Sequence, residues 1–207
     1  MTTHDRAAPE IELGLRDRKK VRVRAALVDA ATALFLARGF DAVTVDEIAA
    51  AADVSRRTFF RYFPTKEAVV FARRDEQLAL FRERLAASGD AAPFDALRGA
   101  LLALADDYMA RRTQILQERA LTRAAPTLLA GDLEVDRAFE SIIAEHLVAH
   151  SRRTAADQRR ARMTAAAMVG VVRVALDEWA DRDGDVDLAR LAQDAIELLT
   201  PIVPRFR

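Results

Sequence analysis

A short segment near position 60 carries the side chains best suited to recognise another molecule. If the segment is helical, three arginines and one phenylalanine share a face. That face consists of Arg56, Arg57, Phe60 and Arg61. A guanidinium can pair with both acceptor atoms on the edge of guanine, and an aromatic ring can contact the methyl group of thymine. The pattern predicts a helix that reads DNA in the major groove; the alternative is an ordinary solvated helix face.

Few other residues have the spacing of a chemical site. His146 and His150 lie one helical turn apart and could offer two imidazoles to a metal, but two ligands do not make a site. Asp106 and Asp107 are adjacent, so they diverge and do not form a general acid–base pair. The sequence has no glycine-rich phosphate loop and no nucleophile motif. We therefore predict no enzyme, no cofactor and no metal site.

Two short helices joined by a three-residue turn are predicted to position the arginine face. Thr44 and Glu47 have the spacing of a capping box, which begins the first short helix. The turn at 52–54 contains Asp53, and aspartate tolerates the left-handed backbone of such a turn. Ser55 caps the second short helix. The residues predicted to be buried are Ile48, Val54, Phe59 and Phe63. This arrangement is a helix-turn-helix.

The rest of the chain is also predicted to be helical. Glycine and proline are few and stand at breaks between helix-periodic segments, and no segment alternates in the manner of a strand. The predicted fold class is all-α: an N-terminal three-helix unit, a long fourth helix and a C-terminal helical domain, with about nine helices in total. Helices are predicted at 17–38, 44–51, 55–63, 66–87, 93–112, 113–124, 127–151, 155–181 and 186–203.

The N-terminal pattern resembles the signature of the tetracycline-repressor (TetR) family over residues 20–70. The residues that carry the resemblance are Gly39-Phe40, Thr44-x-x-x-Ile48-Ala49, Val54-Ser55, Thr58-Phe59-Phe60-x-Tyr62-Phe63 and Lys66-Glu67. The remaining two-thirds of the chain matches in length and helical layout. The resemblance implies a one-component transcriptional regulator, most often a repressor, that binds a palindromic DNA operator as a homodimer and is released by a small molecule.

The resemblance also implies which residues contact DNA. Thr44 and Lys66 would contact phosphates at the starts of the second and fourth helices. The residues that would face bases or nearby phosphates are Ser55, Arg56 and Arg57, and those that would grip the backbone are Thr58, Arg61 and Tyr62. Phe60 stands where the family often has tyrosine, so a hydroxyl-to-phosphate bond is lost. Asp53 stands where glycine is common.

The charge distribution fits contact with an anionic polymer at one end. The net charge is zero, but residues 16–66 hold eleven Lys and Arg against six Asp and Glu. The basic run at 16–24 is either an arm that reaches a minor groove or flanking phosphates, or an ordinary charged helix start. The predicted organisation is a disordered tail at 1–15, a DNA-binding domain at 16–65, and a ligand-binding and dimerisation domain at 66–207.

The C-terminal region is expected to bind an effector and to form the dimer. Candidate pocket residues are Leu101, Leu104, Tyr108, Met109, Leu116, Phe139, Ile143, Met168 and Trp179. Candidate dimer residues are Met168, Val171, Val172, Ala175 and Trp179 in the penultimate helix, and Leu188, Leu191, Ile196, Leu198 and Leu199 in the last. The alternative for each of these residues is a place in the core of the single chain. The apolar character favours a hydrophobic or amphipathic effector. The helix at 56–63 also resembles that of a subgroup of the family that includes acyl-coenzyme-A-responsive regulators, so the candidate effectors are an acyl-coenzyme A, a fatty acid or an aromatic compound.

Composition narrows the setting. The chain has no cysteine, so neither a disulfide nor a cysteine metal site is possible. The N-terminus lacks an apolar signal core, and the longest apolar stretch, 165–172, is far shorter than the ~20 residues of a membrane span. We expect a cytoplasmic protein with no membrane partner. The main alternative function is a helical protein–protein adaptor that has lost DNA binding.

Overall fold

The computed structural model describes residues 14–199, and within them the chain is a helical array without a strand. The predicted all-α fold is therefore confirmed. The helices are α1 (Leu15–Arg38), α2 (Val45–Ala51), α3 (Arg56–Tyr62), α4 (Glu67–Val70), α5 (Arg74–Ala86), α6 (Pro93–Ala110), α7 (Arg112–Ala124), α8 (Leu129–Ala149), α9 (Ala155–Asp181) and α10 (Leu188–Glu197), with one 3₁₀ turn at Pro126–Leu128.

The first three helices pack around a core of aromatic and aliphatic side chains. Phe35, Ile48 and Phe59 are almost completely buried there, and one residue comes from each of the three helices. Val54 is half-buried at the edge of the same core. Leu121 and Leu128, from α7 and the turn after it, complete this core from the C-terminal side. The N-terminal unit is therefore packed directly on the rest of the chain.

The predicted caps and turns are present. The Thr44 side chain accepts a hydrogen bond from the Glu47 backbone N–H, and the Glu47 carboxylate accepts from Thr44, so the capping box is complete. Ser55 caps α3 by accepting from the Thr58 backbone N–H. Asp53 has a φ of 53°, the left-handed conformation expected of the turn between α2 and α3. Local sequence signals therefore set the geometry of the helix-turn-helix.

The predicted continuous helix over 66–87 is wrong in one respect. The segment is helical at both ends but breaks at 71–73, which separates α4 from α5. Phe71 turns into the core and is 8% exposed, and the side chain of Arg74 stacks on its ring. Arg73 and Arg74 then bond to three C-terminal helices. Tertiary contacts of this kind override an intrinsic preference for continuous helix.

The C-terminal helices form a second layer around a larger core. This core is built from α5, α6, α8, α9 and α10, with Phe81, Leu97 and Met168 fully buried in it. A smaller cluster around Trp179 joins the ends of α6, α7, α9 and α10. Several candidate dimer residues are buried within the single chain and belong to these cores. They are Met168, Trp179, Leu188, Ile196 and Leu199. Ala175 is also buried within the chain.

Some expectations fall outside the described residues. The predicted tail at 1–15 lies almost wholly before residue 14, and the last four residues of the predicted helix 186–203 lie beyond residue 199. The basic run at 16–24 is helical and forms the first turns of α1. None of the helices between residues 14 and 199 is long and apolar enough to cross a membrane.

Candidate nucleic-acid interface and internal cavity

The helix α3 is anchored through one face and exposed on the other. Phe59 is fully buried and Phe63, immediately after the helix, is 3% exposed. The rings of these two residues lie 5.8 Å apart, so they form the anchor against α1 and α2. The exposed face carries the predicted residues Arg56, Arg57, Phe60 and Arg61. The structure therefore brings the arginine face together on the surface as expected.

The arginine side chains of this face have few or weak partners within residues 14–199. Nη1 of Arg56 lies 2.7 Å from the carboxylate of Asp46, and both side chains remain about 60% exposed. The Arg56 guanidinium also lies 5.4 Å from the centre of the Phe60 ring. Arg57 forms no hydrogen bond or ion pair with any residue between 14 and 199. Exposed ion pairs are weak, so these guanidinium groups are available to an anionic ligand.

Three polar residues at the starts of α2 and α3 complete the surface. Thr44, Ser55 and Thr58 lie at the helix N-termini, where unsatisfied backbone N–H groups favour anions. The Glu47 carboxylate accepts bonds from Thr44 and from Arg38, whose Nη1 lies 2.6 Å away. These hydrogen bonds lower the pKa of Glu47 to about 2, with those from Thr44 contributing most. The loop before α2 is thereby fixed at neutral pH.

Lys66 has an internal role that the sequence did not suggest. Its ammonium group donates to the backbone carbonyl oxygens of Phe40 and Val43, at 2.9 and 3.0 Å. It also lies 4.2 Å from the centre of the Phe40 ring. An ammonium has three donors, so one remains for another acceptor. Lys66 therefore braces the loop between α1 and α2, and a phosphate contact would use only its third N–H.

A cavity of about 110 Å³ lies among α5 to α10. Its wall is mostly apolar and includes five of the nine predicted pocket residues. These are Leu101, Leu104, Tyr108, Phe139 and Ile143. An engineered cavity of about 150 Å³ holds a benzene molecule, so the space found here is of the order of one ring. Further apolar wall residues come from α9 and α10.

The other four predicted pocket residues do not line the cavity. Met109 is 37% exposed on the outer surface near the end of α6, because that turn of the helix faces solvent. Leu116 packs beside the Trp179 cluster, and Trp179 itself is fully buried in it. Met168 is fully buried in the main C-terminal core. Helical spacing identified buried positions but could not distinguish a cavity wall from solid core.

The sequence analysis missed the polar part of the cavity wall. Six polar or charged residues lie there: Gln77, Glu118, Arg119, Asp132, Asp136 and Arg173. The guanidinium of Arg173 pairs with Asp136 at 3.2 Å, and Arg119 pairs with Asp177. Glu118 and Asp132 have no ion-pair partner among residues 14–199. No local motif marks these residues, because they come from four different helices.

Burial changes the protonation of two of the wall residues. Burial is the main cause that raises the pKa of Glu118 to about 7, against the smaller opposing influence of Arg73 and Arg119. Burial also raises the pKa of Tyr108, and the nearby Glu118 carboxylate adds to that effect. The cavity therefore holds a neutral phenol and a carboxyl group that changes charge near neutral pH.

The two histidines singled out in the sequence lie on α8 and contact each other. Their ring centres are 4.5 Å apart. Nε2 of His146 donates to the carbonyl oxygen of Pro93 at 3.2 Å, and Nδ1 of His150 donates to the carbonyl oxygen of His146 at 2.7 Å. Burial lowers the pKa of His146. Within residues 14–199, no third His, Asp or Glu joins them in a metal-binding group.

Both the N-terminal and the C-terminal parts of the chain match families of known proteins. Residues 27–72 match the model of bacterial regulatory proteins of the tetR family, and residues 91–204 match the MftR C-terminal domain. The HTH-type transcriptional regulator TcmR of Streptomyces glaucescens is 33% identical over 206 residues, covering 91% of this chain and 87% of that protein.

Solved structures share the fold. A TetR-family regulator from Streptomyces coelicolor superposes with a TM-score of 0.62 at 22% identity, covering 92% of this chain and 99% of that one. FadR from Bacillus subtilis, solved in complex with stearoyl-CoA, superposes with a TM-score of 0.60 at 21% identity, covering 84% and 96%. With the arginine face, the capped helix-turn-helix and these matches together, the chain belongs to the TetR family of transcriptional regulators.

Proposed function

We propose that this regulator is a repressor that binds a palindromic DNA operator as a homodimer and releases it when a small effector enters the internal cavity. The observation that carries the proposal is the pairing of two features in one chain. An exposed arginine face lies on α3, and a separate cavity lies among the C-terminal helices. The helix α3 would enter the major groove, with half-sites of the operator about 10 base pairs apart or a multiple of that.

The proposed DNA contacts follow from exposure and helix position. Arg56, Arg57 and Phe60 would face base edges, since they are exposed on α3 away from its anchor. Phosphate contacts would come from residues at helix starts and along the rim of α3. These are Thr44, Ser55, Thr58, Arg61 and Tyr62. The exposed basic residues at the start of α1 would add flanking phosphate contacts.

The test uses DNA selected by the protein itself. A duplex enriched from a randomised pool serves as the operator in mobility-shift titrations. Arg57→Ala should weaken binding by about 1–3 kcal/mol if the side chain reads a base. Arg82→Ala is the matched control, because Arg82 is also an exposed arginine but lies on α5. Equal affinities of the two variants, or failure to enrich any duplex, would contradict the assignment and favour an adaptor role.

A route from cavity to DNA is supported by contacts at the break at 71–73. Arg24 of α1 donates to the carbonyl oxygen of Ala72 at this break. Arg73 donates to Gln114 on α7 at 2.9 Å and to Asp107 on α6 at 3.3 Å. Helices that hold the effector cavity are thus bonded to the segment that supports the DNA-binding helices. An effector that shifts α6 or α7 would tilt α1 and α3 through the break.

Glu118 lies where the two halves of this route meet. It lines the effector cavity and also borders a hollow between α1, α5 and α7. The pKa of Glu118 depends partly on Arg73 at the break.

The proposed domain division is residues 16–65 for DNA binding and 66–207 for effector binding and dimerisation, with this hollow between them.

The proposed dimer uses the apolar surface of α9 and α10. Met163 and Val174 are more than 60% exposed and lie eleven residues apart, three turns along one face of α9. Leu198, directly after α10, is 72% exposed. Sedimentation should show a dimer that Val174→Glu weakens and that Leu129→Glu, an exposed leucine on α8, leaves intact. We place this activity in the bacterial cytoplasm, where the operator DNA is.

A further inference from the structure

Several polar side chains on the cavity wall lack a hydrogen-bond partner within the described part of the chain. Four of them form no side-chain hydrogen bond with any residue between 14 and 199: Gln77, Tyr108, Glu118 and Asp132. Gln77 is only 5% exposed, and its side chain borders the cavity. Buried polar groups almost always have a partner in native proteins. A molecule in the cavity would supply the partners that the chain does not.

Each of the two arginines on the cavity wall has a carboxylate partner. Arg173 pairs with Asp136, and Arg119 pairs with Asp177. The Nε atoms of Arg73, Arg74 and Arg119 have no acceptor, but protein atoms cover them completely. Among the described residues, the cavity wall therefore presents two carboxyl groups without an ion-pair partner, Glu118 and Asp132, and no arginine without one. A negatively charged group would have to be desolvated against these carboxyl groups, which is costly.

The remaining wall is suited to a ring or a short hydrocarbon chain. Leu101 and Leu104 of α6 line the cavity together with Phe139 and Ile143 of α8, and Val169 of α9 lies beside them. All five side chains are at least 90% buried, so an apolar group that enters among them is transferred out of water. The volume already present accepts one ring, and a larger body would displace side chains.

From these two halves of the wall we propose that the effector is an apolar, ring-bearing molecule that presents a hydrogen-bond donor and carries no negative charge. An amine or a hydroxyl group would donate to Glu118 and Asp132, while Tyr108 and Gln77 would orient it. This proposal rests on the ligand-released function proposed above and names its chemical class. It departs from the expectation of a fatty acid or acyl-coenzyme A, because both carry anionic groups.

The protonation of Glu118 makes the two kinds of donor distinguishable. The charged groups facing this carboxyl are Arg73, Arg74, Arg119 and Asp132, and burial outweighs them so that the pKa is about 7. The carboxyl is mostly neutral at pH 6 and mostly ionised at pH 8. An ammonium group pairs with the ionised form, so its affinity should rise between pH 6 and pH 8. A neutral hydroxyl should show a much smaller rise.

The experiment compares three probes with one apolar body. Binding of benzylamine, benzyl alcohol and benzoic acid to the full-length protein is measured by calorimetry and by the shift in melting temperature. The amine or the alcohol should bind at least tenfold more tightly than the acid at pH 8. Glu118→Gln should weaken the amine about tenfold or more and abolish its pH dependence. Glu83→Gln, at an exposed position of α5, should change neither.

The outcomes separate this inference from the proposed function. The ranking of the three probes is made on the unmodified chain, so it stands even if Glu118→Gln fails to fold. Tightest binding of the acid, or no binding of any probe, overturns the proposed effector class. If stearoyl-CoA releases the selected operator while the benzyl donors do not, the ligand-released repressor stands and the inference fails. If no compound of a broad panel alters operator binding, the proposed switch fails.

Discussion

Gly131 on α8 lies directly against the ring of Phe71, so that a Cβ atom at position 131 would be 2.2 Å from Cε2 of Phe71. The Phe71 ring is itself covered by the Arg74 guanidinium, which bonds to the carbonyl oxygen of Gly131. The break between α4 and α5 is thereby locked onto α8. This contact explains why glycine occupies a helix position where alanine would ordinarily be favoured.

Gly131→Ala should therefore lower stability, although alanine is the better helix former. Overpacking of this kind costs about 1–3 kcal/mol, and the gain in helix propensity offsets about 1 kcal/mol of it. Chemical denaturation measures the net change. Gly99→Ala on α6 is the matched control, because nothing lies within 4 Å of its added Cβ, and it should be neutral or stabilising. Equal stability of the two variants would show that the Phe71 ring moves away from the added Cβ atom without a cost in stability.

Asp53 offers a second test of backbone geometry. Its φ of 53° is left-handed, which costs a non-glycine residue about 1 kcal/mol. Asp53→Gly should raise the free energy of unfolding by up to about 1 kcal/mol, whereas the β-branched Asp53→Val should lower it. Thermal melts of both variants provide the comparison. If Asp53→Gly is destabilising instead, the aspartate side chain has a stabilising contact in solution that outweighs the backbone strain.

The turn at 52–54 was predicted correctly from the sequence and the break at 71–73 was not, because the turn depends on neighbouring residues and the break depends on distant ones. The turn at 52–54 is specified by residues within a few positions, so capping and backbone preference are enough. The break at 71–73 depends on partners such as Asp107 and Gly131, which are more than 30 positions away. The polar cavity wall was missed likewise. Helical periodicity found Leu101 and Phe139, but no local pattern reports that Glu118 is buried beside them.

A variant of Lys66 distinguishes its support of the loop between α1 and α2 from a direct phosphate contact. Lys66→Met leaves the carbonyl oxygens of Phe40 and Val43 without their donor, which should cost about 1–3 kcal/mol of stability. Operator affinity should fall as the loop loosens, but the slope of affinity against salt concentration should change less than for Arg61→Ala. Denaturation and mobility shifts at several salt concentrations measure both. Full stability together with a slope lower by about one charge would make Lys66 a phosphate contact alone.

Stability should depend on pH through Glu118. Its pKa rises from 4.5 to about 7 on folding, so the folded chain binds the proton more tightly than the unfolded chain. Stability is therefore lost as pH rises from about 4.5 to 7, and at pH 8 the loss is about 3 kcal/mol. Glu118→Gln should be more stable than the unmodified chain at pH 8, and the difference should shrink towards pH 5. A difference that does not vary with pH would exclude a raised pKa.

Filling the cavity should abolish the response to effector, and two positions on α6 make a matched pair. Leu104 lines the cavity and is 7% exposed, whereas Met109 lies outside it and is 37% exposed. Leu104→Trp should remove the shift in melting temperature that an effector produces, while Met109→Trp should retain it. Because binding and release are thermodynamically linked, Leu104→Trp must also lose effector-induced release of the operator. Operator affinity of Leu104→Trp without effector then shows whether the indole itself imitates the ligand. Equal responses of the two variants would place the effector elsewhere in the chain.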